Sequence, residues 1–130
     1  MSISIGHLAF NVQNMEASLK FYKEALGIDK AFSLHGKDGK PWIEYLKVAP
    51  NQFIELFYNG TGSQNGNFSH LCLKVDDINA ATKRVEDAGY KIDSGPSQGM
   101  DGNWQSWVKD PDGTRIELMQ ISPESPQAKA

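Results

Sequence analysis

The chain has 130 residues, 39% hydrophobic and 22% charged, with twelve Gly and six Pro, a balance that excludes a disordered or fibrous polypeptide. A chain of this size buries about two-thirds of its unfolded surface, enough for one core-bearing unit without disulfide staples. The net charge of -3, with no run of Lys or Arg, excludes nucleic acid and an anionic membrane surface as the main partner and leaves small molecules as the expected one. The single cysteine, Cys72, allows no intrachain disulfide framework and fits a reducing, cytoplasmic setting. Its place between Leu71 and Leu73 predicts a buried, unreactive thiol. No stretch reaches the roughly 18 to 20 apolar residues of a membrane span, and Met1-Ser-Ile-Ser-Ile5 lacks the marks of a signal peptide.

In chain order, the alternating run Gly6 to Val12 reads as a strand, followed by a helix entered at Asn14, with Met15, Leu19, Tyr22 and Leu26 on one stripe and an exit at Gly27. Three strand-like runs follow, Ile28 to Leu34, Trp42 to Val48 and Phe53 to Tyr58, separated by Gly- and Pro-bearing turns. A polar, glycine-rich connector, residues 59–67, reads as a linker. The order then repeats. A strand from Ser69 to Val75 leads into a helix entered at Asp76-Asp77, with Ile78, Ala81, Val85 and Ala88 inward and a stop at Gly89. Runs from Tyr90 to Ser94, Trp104 to Lys109 and Thr114 to Ile121 complete it, and the Pro-bearing tail 122–130 carries too little apolar content to pack and reads as mobile.

The second half copies the first. Gly6-His7-Leu8 overlays Ser69-His70-Leu71 at an offset of 63, and Ile54-Glu55-Leu56 overlays Ile116-Glu117-Leu118 at an offset of 62. The expected fold is therefore α+β, a single domain over residues 1–121 made of two βαβββ modules, 3–58 and 68–121. Strand alternation sets His7 and His70 opposite the apolar positions of their strands, and Glu55 and Glu117 likewise. If the first and last strands of each module are neighbours, each module pairs one His with one Glu. A carboxylate set among aliphatic and aromatic residues needs compensation, and two imidazoles with two carboxylates suit a divalent cation: Ni²⁺, Co²⁺, Zn²⁺, Mn²⁺ or Fe²⁺. His35, in a Gly-rich hairpin outside the repeat, reads as a solvent-exposed loop residue.

These pieces, together with Ser18-Leu-Lys-Phe-Tyr-Lys-Glu-Ala-Leu-Gly27 and Asp110-Pro-Asp-Gly-Thr-Arg-Ile-Glu-Leu118, resemble the vicinal oxygen chelate superfamily, most closely its glyoxalase I (lactoylglutathione lyase) branch. The resemblance spans about residues 3 to 121. It implies an open, cup-shaped mixed sheet around one metal ion held by His7, Glu55, His70 and Glu117, in a homodimer. It also implies a lyase or isomerase reaction on a small oxo or hydroxy substrate or a thiol hemithioacetal. The resemblance implies that the cation would supply Lewis acidity toward the substrate oxygens while Glu117, with Glu55 as second candidate, would shuttle the proton.

Asn11 and Asn59 then stand at substrate-binding positions, with Phe53, Phe57 and Trp104 as aromatic lining beside Trp42 and Trp107. Asn11 replaces a basic residue of the glutathione-using members, and Gln98-Gly-Met-Asp-Gly-Asn-Trp104 carries no Lys or Arg where they place cationic contacts. The resemblance thus leaves glutathione, another thiol adduct and a sugar-like or oxo-acid substrate open. Other reactions of the superfamily stay open: an Fe(II) dioxygenase using His7, His70 and Glu117, a fosfomycin-type thiol transferase, an epimerase, or a non-catalytic antibiotic-binding protein.

Overall fold

The structure is a computed structural model that describes residues 4–64, 66 and 68–130. It divides into two compact units, residues 1–63 and 64–130. The first carries β1 (His7–Asn11), α1 (Met15–Leu26), β2 (Lys30–His35), β3 (Pro41–Ala49) and β4 (Gln52–Phe57). The second repeats the order with β5 (Leu71–Lys74), α2 (Ile78–Asp87), β6 (Ile92–Gln98), β7 (Trp104–Lys109) and β8 (Arg115–Gln120), and adds a one-turn helix α3 (Pro126–Lys129). Each unit forms its own four-stranded mixed sheet, in the orders β1-β4-β3-β2 and β5-β8-β7-β6. The helix is the crossover that lets the first strand run parallel to the last, and two antiparallel steps join the other three strands.

Local chemistry sets the boundaries. Asn14 caps α1 through its side chain, which accepts from the Ala17 N–H, and Gly27 ends it at φ 70 with its N–H donating back to the Lys23 carbonyl. Asp77 caps α2 by accepting from the Asn79 and Ala80 N–H groups. The buried stripe of α1 is Met15, Ser18, Phe21, Tyr22 and Ala25, so the expected stripe is shifted and leaves Leu19 and Leu26 half-buried at its margin. On α2 the inward residues are Ile78, Thr82 and Val85. Thr82 turns inward because its hydroxyl donates to the Ile78 carbonyl at 2.7 Å and lies 2.6 Å from the Ser106 hydroxyl on β7.

One face of each sheet is buried. Leu46, Ile54 and Leu56 cover it in the first unit, and Leu71, Val108, Ile116 and Leu118 in the second, where α2 packs over β6, β7 and β8. Gly60 follows the end of β4 and donates to the Val12 carbonyl at 2.9 Å; a Cβ there would lie 2.6 Å from the Asn11 carbonyl, so only glycine fits this approach. The tail departs from the expectation of mobility. Ser122 donates to the Asn103 side chain, Gln127 pairs with the same side chain, and Ser125 is buried and caps α3. Hydrogen bonds, rather than apolar area, hold this segment.

Candidate metal and substrate site

The parallel pairing of first and last strands produces the chemistry-bearing face. In the first unit the register sets Ala9 beside Glu55 and His7 beside Phe53. The imidazole Nδ1 of His7 stands 3.1 Å from Glu55 Oε2. In the second unit Cys72 is the register partner of Glu117, and His70, one residue ahead of β5, brings its Nε2 to 3.2 Å from Glu117 Oε1. Both carboxylates are well covered, with side chains 10% and 15% exposed, while the imidazoles are more open at 55% and 33%. The four sequence-derived residues thus come together two by two. Among the described residues no three His, Cys, Asp or Glu side chains stand together as a ready metal cluster.

Each pair fits a shared cation. Two N or O donors at about 2.1 Å from one divalent ion, separated by 90° to 109°, lie roughly 3.0–3.4 Å apart, which brackets both observed distances. A neutral imidazole beside a carboxylate is also the donor chemistry that borderline divalent ions take. Each pair supplies two donors and no third.

The residues around each pair differ. On the face of Glu55, strand register aligns Phe32 with Tyr45, Tyr45 with Glu55 and Ile43 with Phe57. Phe32 and Tyr45 stack at 4.3 Å between centroids, and Phe53 meets both edge-on near 6 Å. Phe53 and Phe57 therefore lie on the expected face, and Asn11 ends β1 beside Phe57. Asn59, at φ 71, lines a cavity of about 620 Å³ with Trp42, Pro41 and Lys40 beside the β2–β3 hairpin.

On the face of Glu117, the aromatic partner is Trp107, whose ring sits 4.8 Å from that of His70. Trp104, expected to line the substrate site, belongs to the other side. It is three residues from Trp107 along a regular strand, so it alternates onto the face of Ser106 and Val108.

Cys72 also departs from expectation. Alternation sends Leu71 inward at 5% exposure and turns Cys72 outward, beside Glu117. Partial desolvation of the sulfur and then the neighbouring Glu117 carboxylate push the thiol up to about 11, so it stays protonated. His35 is exposed as expected, but as the last residue of β2 rather than in the loop.

One buried cluster lies outside the residues that the sequence singles out. Glu44 on β3, 4% exposed, accepts from the Tyr58 hydroxyl at 2.6 Å, pairs with Ser33, and has the Lys30 ammonium at 3.7 Å. Burial raises its carboxyl, but the hydrogen bonds from Ser33 and Tyr58 and the charges of Lys30 and His35 outweigh it and hold the group below the usual carboxylate range. The same contact pushes the Tyr58 phenol up to about 12. Register sets Glu44 beside Leu56, on the face opposite Glu55, so this cluster builds the unit rather than the site. A carboxylate between Ile43 and Tyr45 was the available signal, the same one that had marked Glu55.

Comparison with known proteins adds the lineage. The sequence matches the Glyoxalase/Bleomycin resistance protein/Dioxygenase superfamily over residues 4–118. It is 34% identical over 123 residues to a probable lactoylglutathione lyase of Synechocystis sp., covering 89% of this chain and 94% of that protein. It is 30% identical over 122 residues to the lactoylglutathione lyase of Salmonella typhimurium, covering 88% and 90%. Among solved structures it is similar to TnmS3, an antibiotic binding protein from Streptomyces sp. CB03234, with a TM-score of 0.75 and 28% identity over 94% of this chain and 99% of that one. With its duplicated βαβββ plan and this match over most of its length, the chain belongs to the Glyoxalase/Bleomycin resistance protein/Dioxygenase superfamily.

Proposed function

We propose that the protein is a metal-dependent lyase or isomerase of the glyoxalase I type. The observation that carries this reading is the pair of repeat-equivalent contacts, His7 with Glu55 and His70 with Glu117, each at a separation suited to a shared divalent ion. The four side chains would hold one such ion, drawn from Ni²⁺, Co²⁺, Zn²⁺, Mn²⁺ or Fe²⁺. Bound there, it would supply Lewis acidity toward adjacent oxygens of the substrate.

The chain's own residues do the rest. Glu117, 15% exposed and backed by Ile116 and Leu118, takes a proton from the carbon next to the substrate carbonyl and returns it to the neighbouring carbon. His70 and Trp107 fix its position, and Glu55 stands as the second base. Phe32, Tyr45, Phe53 and Phe57 give a substrate an apolar surface that sheds water when covered. The lyase names of the relatives at 30–34% identity support the same chemistry.

The test is turnover of the methylglyoxal–glutathione hemithioacetal by the metal-loaded protein beside its Glu117→Gln variant. Activity lost in the variant supports the assignment, and equal activity in both removes Glu117 from the role.

A second reading, a non-catalytic small-molecule binder, draws on the half-exposed stacked pair Phe32–Tyr45 and on the likeness to the antibiotic-binding TnmS3. Tight drug binding by a protein that takes up no metal would favour it.

A further inference from the structure

We infer that the face of β7 and β8 beside Glu117 is a subsite for an oxyanion, so that the substrate carries a carboxylate or phosphate on its non-reacting end. This deepens the proposed function and rests on it only for the identity of the reacting end. The subsite is a cavity of about 460 Å³ in the second unit, lined by Asp93, Ser94, Trp107, Lys109 and Arg115 among others.

Three observations converge on it. Arg115 lies over the Trp107 ring, its guanidinium carbon 4.6 Å from the centroid, and among the described residues no carboxylate pairs with it. The cation–π contact holds the guanidinium in place, and its N–H donors are the groups with which arginine binds planar oxyanions. Lys109 is the register partner of Arg115 and adds a second cation, partly answered by Asp93 at 3.6 Å. Two cations against one carboxylate leave the cavity positive in a protein that is negative as a whole.

Trp107 is the shared wall. One contact of its ring is Arg115 and another is His70, so an anion on Arg115 sits next to the candidate catalytic pair rather than on a remote surface. Arg115 and Glu117 are two residues apart on one face of β8, about 7 Å along the strand, roughly five covalent bonds of substrate. The substrate class that follows is a small oxo or hydroxy compound, or its thiol adduct, with an acidic group about five bonds from the reacting carbon.

The experiment uses the full chain, metal-free and ¹⁵N-labelled, and follows the indole N–H signal of Trp107, identified by its loss in Trp107→Phe. The probes are glutarate, inorganic phosphate and the neutral, similarly shaped glutaramide. At least one of the two anions should shift the signal saturably and glutaramide should not. Glutarate alone would assign a carboxylate tail, phosphate alone a phosphoryl tail, and both a general oxyanion site.

Arg115→Gln should weaken anion binding about tenfold. Asp93→Asn, which removes the competing carboxylate, should tighten it about threefold, a gain that misfolding cannot mimic. Equal response to glutaramide, no response to either anion, or unchanged affinity in both variants overturns the proposal. No metal and no turnover enter this readout, so it stands or falls separately from the glyoxalase-type reading.

Discussion

The Glu44 cluster offers a quantitative test of how the first unit is held together. Tyr58→Phe deletes one hydroxyl and leaves the ring, so the change isolates the 2.6 Å hydrogen bond to Glu44. A hydrogen bond to a charged, buried acceptor contributes roughly 1.5–3 kcal/mol, and Glu44 keeps Ser33 and Lys30, so the expected loss is about 2 kcal/mol. For a chain of this length that lowers Tm by roughly 6–8 °C. The pH dependence has a definite sign. Because the folded Tyr58 phenol lies above its ordinary value of 10.0, its contribution is complete below that pH and is lost as pH rises through about 12. Glu44 runs the other way: its contribution is complete above 4.5 and falls away as pH drops through its lowered value. Denaturant unfolding of parent, Tyr58→Phe, Glu44→Gln and the double variant gives the coupling, and ultraviolet titration should show one of the four tyrosines ionising near 12 in the parent and not in Glu44→Gln. A coupling under about 0.5 kcal/mol, with no late-titrating phenol, would mean that the Tyr58–Glu44 contact does not hold this unit together.

Other changes follow from the same geometry. Glu117→Gln should lower kcat in the hemithioacetal assay by about a hundredfold or more while the protein keeps its fold, checked by circular dichroism. Gly60→Ala would force a Cβ to 2.6 Å from the Asn11 backbone and should cost about 3 kcal/mol in urea unfolding, whereas a loop glycine with open space around it, such as Gly39, has no such contact. Ser106→Ala, which strips the Thr82 hydroxyl of one buried partner, should cost about 1 kcal/mol by the same measurement. Cys72, its thiol held up to about 11, should react slowly with iodoacetamide at neutral pH and faster as pH rises toward that value.

Much of the fold could be read because the chain states it twice. A repeat offset near 63 residues aligned His7 with His70 and Glu55 with Glu117, and the parallel pairing of first and last strands then had to bring each His to its Glu. The errors came where one-dimensional periodicity gives no sign of which face is covered. Cys72 between two leucines looked buried, yet alternation itself turns it the other way from Leu71. Trp104 and Trp107 looked interchangeable as aromatics, and the three-residue spacing that separates their faces is a strand property. A carboxylate among apolar neighbours was a sound warning of compensation, but it did not say of what kind. Glu55 meets an imidazole and Glu44 meets a serine, a tyrosine and a lysine drawn from β2 and the end of β4, groups that only tertiary structure gathers. The docked tail was illegible for the same reason, since Asn103, nineteen residues before Ser122, receives it through hydrogen bonds and not through apolar pattern.

We propose that the two His–Glu pairs act as one four-donor set for a single divalent ion, and the metal content of the purified, metal-loaded chain is the readout. About one Ni, Co, Zn, Mn or Fe per chain in the parent, lost alike in His7→Ala and His70→Ala, is the expected result. An ion retained at full stoichiometry after either pair is broken, or no ion taken up under any loading condition, would overturn the shared site.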